Sequence, residues 1–314
     1  VDEREAMGLA LDLAWRGWGR VQPNPLVGAV VLSSDGRVVG EGWHAEYGQR
    51  HAEPVALEAA GDRAEGGTLV VTLEPCNHQA KQPPCTDAVL AAGVRRVVAA
   101  MPDPNPEARG GAATLAAQGV EVRIGLEREA AEAQNAAFLH RFRNVDRPFV
   151  ALKLATSLDG RIADASGQSR WISGEQARGY VHWLRAGFDA IGVGGRTARQ
   201  DDPQLTVRGA VEPRVAPRRV VFDSSAELST ELTMLRTASE VETIVVASPD
   251  APTVNLRRLE LAGVIVLRAE SLEEALGQLQ AREIGSLLVE GGGRLAGALL
   301  GKGLVDRYYW VQSP

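Results

Sequence analysis

His51, Cys76 and Cys85 are the residues of this chain best suited to hold a metal. One imidazole and two thiolates suit Zn²⁺, and three protein ligands leave the fourth tetrahedral position open. A water in that position loses a proton near neutral pH, and a neighbouring carboxylate can carry it. Glu53 follows the histidine by two residues. It is not needed as a ligand and is expected to serve as general acid and base. His78 lies two residues from Cys76. A fourth protein ligand would close the site, so His78 is placed near the substrate instead.

The order H-x-E, then P-C, then a second cysteine is the pattern of zinc-dependent hydrolytic deamination. The usual P-C-x-x-C is altered here, because the segment NHQAKQPP separates Cys76 from Cys85. Its turn-forming residues read as a loop beside the metal, where substrate contacts often lie. The competing reading is a pair of buried structural cysteines. A disulfide would need an oxidising compartment, which nothing in the chain suggests.

The elements that must position these residues can be read in order. Glu3 to Trp18 has helical spacing, with Met7, Leu11, Ala14, Trp15 and Trp18 able to share a face. PNP makes a turn at Asn24; LVGAVVL and GRVVGEGWH then read as a hairpin around Ser34-Asp35-Gly36. His51 begins a helix, in whose first turn Pro54 is tolerated. TLVVTLEPC is a strand that delivers Cys76 at its end, and Cys85 opens the next helix, where a thiolate is favoured. A strand at VRRVVAAM, the turn Asp103 to Pro106, and a helix, strand and long alanine-rich helix reach Asn144. This alternation predicts a three-layer α/β/α domain over residues 1–145.

A second α/β domain is expected over 146–314. It opens with the extended PFVALKLATSLDGRIA, then SRWISG, a helix from Glu175 to Arg185, and FDAIGVGGRTARQDDPQLTVR. Two strands end in glycine-rich backbone, one before Thr197 and one at VEGGGR, where amides can meet phosphate. Further strands are expected at RRVVFDS, TIVVAS, GVIVLR and DRYYWVQSP.

HAE with LEPCNH and PPC, DPNP, TSLDGRIA, WIS, DDPQLT and VEGGG together resemble the bifunctional riboflavin-biosynthesis deaminase-reductases. The resemblance spans essentially the whole chain. It implies a cytidine-deaminase-like domain fused to a dihydrofolate-reductase-like domain. It also implies two consecutive steps. The first is zinc-dependent removal of the 2-amino group of 2,5-diamino-6-ribosylamino-4(3H)-pyrimidinone 5′-phosphate. The second is reduction of the ribosyl side chain by NADPH, giving 5-amino-6-ribitylamino-uracil 5′-phosphate. Carried over residue by residue, it puts Asn24, Gly28 and His78 on the first substrate. Ala155, Trp171, Thr197, Asp201, Ser224, Gly291, Gly292, Gly293, Arg294 and Leu295 fall on NADPH. Lys153, Ser169, Arg185, Leu205, Arg208 and Glu290 fall on the second substrate. Ala80 and Gln82 stand where the family usually has glycine and threonine, which bears on the loop and not on the zinc ligands. The family continues some tens of residues past DRYYWVQSP, so a shortened C-terminal end is expected.

Two other readings compete. A base or nucleoside deaminase with an unrelated second half would not need TSLDGRIA or VEGGG. A zinc-stabilised binding scaffold would not need Glu53. The chain has 314 residues, 45% hydrophobic and 24% charged, as an ordinary globular protein does. A net charge of −6 argues against nucleic acid as a partner. No run approaches the roughly 18 apolar residues of a membrane span, and no charged-then-apolar leader opens the sequence. A cytoplasmic homo-oligomer, dimer or tetramer, is the corresponding expectation.

Overall fold

The computed structural model of the chain describes residues 1–79, 81–143, 145–162, 174–209 and 211–312. It forms two compact units, Val1–Arg143 and Asn144–Pro314.

In the first unit, α1 (Glu3–Ala14) begins at a reciprocal cap: Asp2 accepts the Glu5 amide, and the Glu5 side chain accepts the Asp2 amide. It buries Ala6, Met7, Ala10, Leu13 and Ala14. The expected helical face does not extend to Trp15. The chain tightens into a 3-10 turn over Trp15–Gly17, leaving Trp15 exposed. β1 (Gly28–Leu32) and β2 (Val38–Trp43) form the expected antiparallel hairpin. α2 (Ala52–Ala60), β3 (Thr68–Leu73), α3 (Cys85–Ala91) and β4 (Arg96–Met101) follow. α4 (Gly111–Ala117) and β5 (Glu121–Ile124) complete the sheet, in the order β2-β1-β3-β4-β5. β3, β4 and β5 are parallel.

Glycines let helices approach this sheet from both faces. A Cβ on Gly28 would lie 1.9 Å from the Ala10 carbonyl oxygen in α1. A Cβ on Gly42 would lie 2.4 Å from the Ala52 carbonyl oxygen in α2. Gly42 pairs with Ala29, the neighbour of Gly28 in β1. Side chains alternate along a strand, so α1 and α2 cover opposite faces. The long alanine-rich helix expected at the end of this unit is instead two short ones, α5 (Arg128–Gln134) and α6 (Ala136–His140). The break is at Asn135. Its buried amide accepts from the Leu26 N–H at 2.8 Å and donates to the Leu26 carbonyl at 3.0 Å. A main chain clamped in this way outweighs the helix propensity of the surrounding alanines.

The second unit contains β6 (Phe149–Thr156), α7 (Glu175–Ala186), β7 (Ala190–Gly194), α8 (Gly195–Asp201) and β8 (Arg218–Phe222). Then come α9 (Thr233–Arg236), β9 (Thr243–Ala247), α10 (Thr253–Leu261), β10 (Ile265–Arg268), α11 (Leu272–Gln280), β11 (Ser286–Glu290), α12 (Gly293–Gly301) and β12 (Arg307–Gln312). Thr197 lies inside α8 and does not open it. The sheet order is β10-β9-β8-β7-β11-β6-β12, with every pairing parallel. Near-continuous buried runs such as AIGVG and TIVVA are what a parallel sheet covered on both faces requires. β12 is an edge strand and alternates in exposure. Arg147 forms a two-point ion pair with Asp306 at 2.6 and 2.9 Å, and Asp306 also accepts the Val150 amide at 2.8 Å. This pairing fixes the register where β6 and β12 begin.

Candidate active sites

The α2 N-terminus and the loop after β3 meet in the first unit. His51 is the N-cap of α2, Cys85 is the first residue of α3, and Cys76 lies just past the end of β3. Their three ligand atoms lie within 4.8 Å of one another, the one such group of histidine, cysteine and carboxylate among the described residues. His51 Nδ1 is 3.2 Å from Cys85 Sγ and 3.6 Å from Cys76 Sγ. Tetrahedral ligands at zinc's usual bond lengths are about 3.6 Å apart, so the trio fits the ion with little adjustment. The two thiols share one proton: the Cys85 hydrogen bond, with His51 beside it, draws the Cys76 thiol down to about 4, and the same contact pushes the Cys85 thiol up. The hydrogen bond to Cys76 in turn raises the His51 imidazole.

His51 and Cys76 open on a cavity of about 260 Å³. Glu53, buried in the first turn of α2, lines it, and burial pushes its carboxyl up to about 7. A group at that value can take up and return protons at neutral pH. Asn24 and His78 line the same cavity. Gly28 does not; it is the contact point of β1 and α1, and its N–H donates to Thr72 Oγ1 at 3.2 Å.

Two site residues were not singled out from the sequence. His44 donates from Nδ1 to the Arg50 carbonyl at 3.1 Å, and its Nε2 faces Asn24 Nδ2 at 3.2 Å. Burial lowers its pKa, so the ring is neutral and accepts from the Asn24 amide. It also lies edge-on to His51. Glu74 is buried and accepts three backbone amides, from Asp103, Gly110 and Ala112, at 3.1, 3.1 and 2.9 Å. It thereby pins the Asp103–Pro106 turn against the metal loop. The Glu74 contacts and the His44–Asn24 contact join different segments of the chain and leave no local signature.

The second unit holds a larger cavity, about 1140 Å³, at the carboxyl ends of its strands. Connections leave β7 and β11 toward opposite edges of the sheet, and the crevice between such strands is where doubly wound folds bind ligands. Gly291 and Gly292 have φ of +77° and +83°, so the chain turns from β11 into α12 with bare backbone facing the crevice. A Cβ on Gly292 would lie 3.1 Å from Thr197 Oγ1. That backbone cradle, and a volume at the upper end for ligand sites, suit a dinucleotide.

Ala155, Thr197, Asp201, Ser224, Gly291, Gly292, Gly293, Arg294 and Leu295 all line this cavity, as do Lys153, Arg185, Leu205 and Glu290. Leu205 is buried with φ +51°, a left-handed backbone rare for leucine. Arg208 does not line the cavity. It is exposed, and its N–H donates to His182 Nδ1 at 3.1 Å. Ser169 and Trp171 lie outside the described residues. At the cavity floor, Glu290 receives Arg185 on both oxygens, and Lys153 Nζ is 3.9 Å away.

A family profile described as the cytidine and deoxycytidylate deaminase zinc-binding region matches residues 1–101. One described as the RibD C-terminal domain matches residues 148–314. The riboflavin biosynthesis protein RibD of Escherichia coli is 42% identical over 329 residues, covering 98% of this chain and 86% of that protein. The RibD of Synechocystis is 40% identical over 317 residues, covering 100% and 85%. Among solved structures, RibD of Acinetobacter baumannii superposes with a TM-score of 0.83 at 38% identity, covering 99% of this chain and 86% of that one. A Thermotoga maritima diaminohydroxyphosphoribosylaminopyrimidine deaminase/5-amino-6-(5-phosphoribosylamino)uracil reductase gives the same score, identity and coverage. With matching profiles on both halves and relatives aligned along nearly its full length, the chain belongs to the RibD family, the zinc- and NADPH-using deaminase-reductases of riboflavin biosynthesis.

Proposed function

We propose that residues 1–145 deaminate 2,5-diamino-6-ribosylamino-4(3H)-pyrimidinone 5′-phosphate and that residues 146–314 reduce the ribosyl side chain of the product. The observation that carries the reading is the His51–Cys76–Cys85 trio with Glu53 buried beside it, where His51, Cys76 and Glu53 line one small cavity. In this reading the trio holds one zinc. Bound zinc supplies Lewis acidity, which makes water a nucleophile near neutral pH.

Glu53 accepts the proton of the attacking water and passes it to a ring nitrogen. It then assists departure of the 2-amino group as ammonia. Water is consumed and the amidine carbon becomes a carbonyl. Asn24 holds the pyrimidine edge, oriented by neutral His44, while His78 meets substrate from the loop. In the second unit NADPH supplies the hydride. Thr197, Asp201, Ser224 and the Gly291–Leu295 turn hold the cofactor. Lys153 and Arg185 present positive charge to the sugar phosphate, and Glu290 fixes the direction of the Arg185 fork.

Two thiolate ligands agree with a reducing, cytoplasmic compartment. A homo-oligomer, dimer or tetramer, is part of the proposal.

The test supplies the diaminopyrimidinone phosphate and follows ammonia release and NADPH absorbance separately. Cys85→Ala should lose both bound zinc and ammonia release. Full deamination by protein stripped of zinc would overturn the reading.

A further inference from the structure

β8 is the neighbour of β7 on the side away from β11. In dinucleotide-binding sheets the residue just past that neighbouring strand meets the adenosine ribose. An acid there takes the 2′-hydroxyl of NAD, and a nearby arginine accommodates the 2′-phosphate of NADP. Asp223 occupies this position, one residue after β8 ends, and lines the cavity with Ser224 and Arg199.

The Asp223 carboxylate is not free to meet a hydroxyl. It is 5% exposed, and its Oδ2 accepts both Arg199 Nη1 and the Glu227 amide at 2.9 Å. Gly195 closes over its other oxygen, where a Cβ would lie 2.5 Å from Oδ1. The buried acid is therefore committed to holding Arg199. The Arg199 side chain remains 40% exposed. Among the described residues its guanidinium makes no hydrogen bond except that to Asp223. One arm is anchored, and the rest of the fork can meet an anion.

We propose that Arg199, held by Asp223, recognises the 2′-phosphate of NADPH and sets the preference over NADH. This rests on the cofactor cavity assigned above. Removing the guanidinium would do two things. The 2′-phosphate would lose its charge-assisted hydrogen bonds, and the Asp223 carboxylate would turn from an anchor into a repelling charge.

The experiment is equilibrium binding to the full chain, by fluorescence titration with NADPH and NADH and by competition with 2′,5′-ADP and 5′-AMP. Arg199→Leu should weaken NADPH and 2′,5′-ADP by about tenfold to a hundredfold. NADH and 5′-AMP should bind as before or tighter. Persistence of the wild-type preference for 2′,5′-ADP over 5′-AMP in Arg199→Leu would overturn the proposal. If Arg199→Leu fails to bind even 5′-AMP, Arg199→Lys decides: a weakened preference for 2′,5′-ADP with 5′-AMP binding intact supports the assignment, and a preference equal to the wild type's overturns it. A wild-type chain that binds neither nicotinamide nucleotide would refute the cavity assignment itself. A wild type that binds NADPH, with a variant that keeps its preference, would refute only the role of Arg199.

Discussion

Arg185 and Glu290 meet side-on at the floor of the larger cavity, Nε to Oε1 at 2.5 Å and Nη2 to Oε2 at 2.9 Å. Arg185 comes from the end of α7 and Glu290 from the end of β11. Nη1 of Arg185 donates to the Thr206 carbonyl at 2.7 Å. Three segments of the second unit are thus tied at the point where substrate is expected.

Glu290→Gln should abolish reduction of the deaminated intermediate while ammonia release from the first substrate continues nearly unchanged. It should also destabilise the second unit by about 3 kcal/mol, because Arg185 keeps a buried charge without its counter-ion. Paired single-step assays and denaturant melts of the full chain check both statements. Loss of both activities in a folded, zinc-loaded variant would show that the two steps share machinery.

The same pair sets a pH dependence. Burial alone would raise the Glu290 pKa, but the hydrogen bonds and charge of Arg185, with Lys153 behind it, outweigh burial and hold it below 4.5. A carboxylate depressed in the folded state stabilises fully above its unfolded value and loses that contribution as pH falls through the folded value. Acid melts should therefore show the second unit weakening below pH 4.5 in the wild type, and weakening less in Glu290→Gln. Asp103 in the first unit has the opposite sign. Burial pushes it up to about 6, so its contribution is present at low pH and is lost as pH rises through that value.

Glu53 lies outside the sulfur–nitrogen trio. Glu53→Gln should keep a full zinc complement by metal analysis and lose deamination by about 10²–10⁴-fold. Zinc lost in parallel with activity would make Glu53 a ligand and remove its role as a proton carrier.

Two glycines of the first unit should respond in opposite directions. Gly28→Ala drives a Cβ into the Ala10 carbonyl and, at 2.9 Å, the Ala14 amide nitrogen, so α1 must move. A cost of about 1–3 kcal/mol follows, read as an earlier melting transition. Gly8, inside α1, has nothing within 4 Å of its would-be Cβ. Gly8→Ala should stabilise by about 0.5–1 kcal/mol through the lower chain entropy of alanine.

Much of this architecture was legible in the residues. The β1–β2 hairpin, the helix begun by His51, the strand delivering Cys76 and the glycine turn after Glu290 all carry local signals of period, turn chemistry or capping. The metal trio was legible because its residue types are rare here: the chain has only two cysteines and five histidines. The Asn135 clamp, the Glu74 cradle and the partners of His44 were not legible. Each pairs a side chain with main chain or ring atoms from a distant segment. No periodicity records which buried amide will need an acceptor. The motif that brings Arg208 into the expected substrate set carries no sign of its exposure or of its place outside the cavity lining.

The insertion of β11 between β7 and β6 bears on how the protein is made. β6 is the first strand of its unit to leave the ribosome, yet its two neighbours, β11 and β12, are the last. Strands β7 to β10 can zip together in order of synthesis. β6 must wait, unpaired and apolar, for more than a hundred residues to emerge. The first unit has no such delay, since each of its strands finds a partner close behind it. Folding during translation should thus complete the first unit early and close the second only after β11 and β12 have emerged.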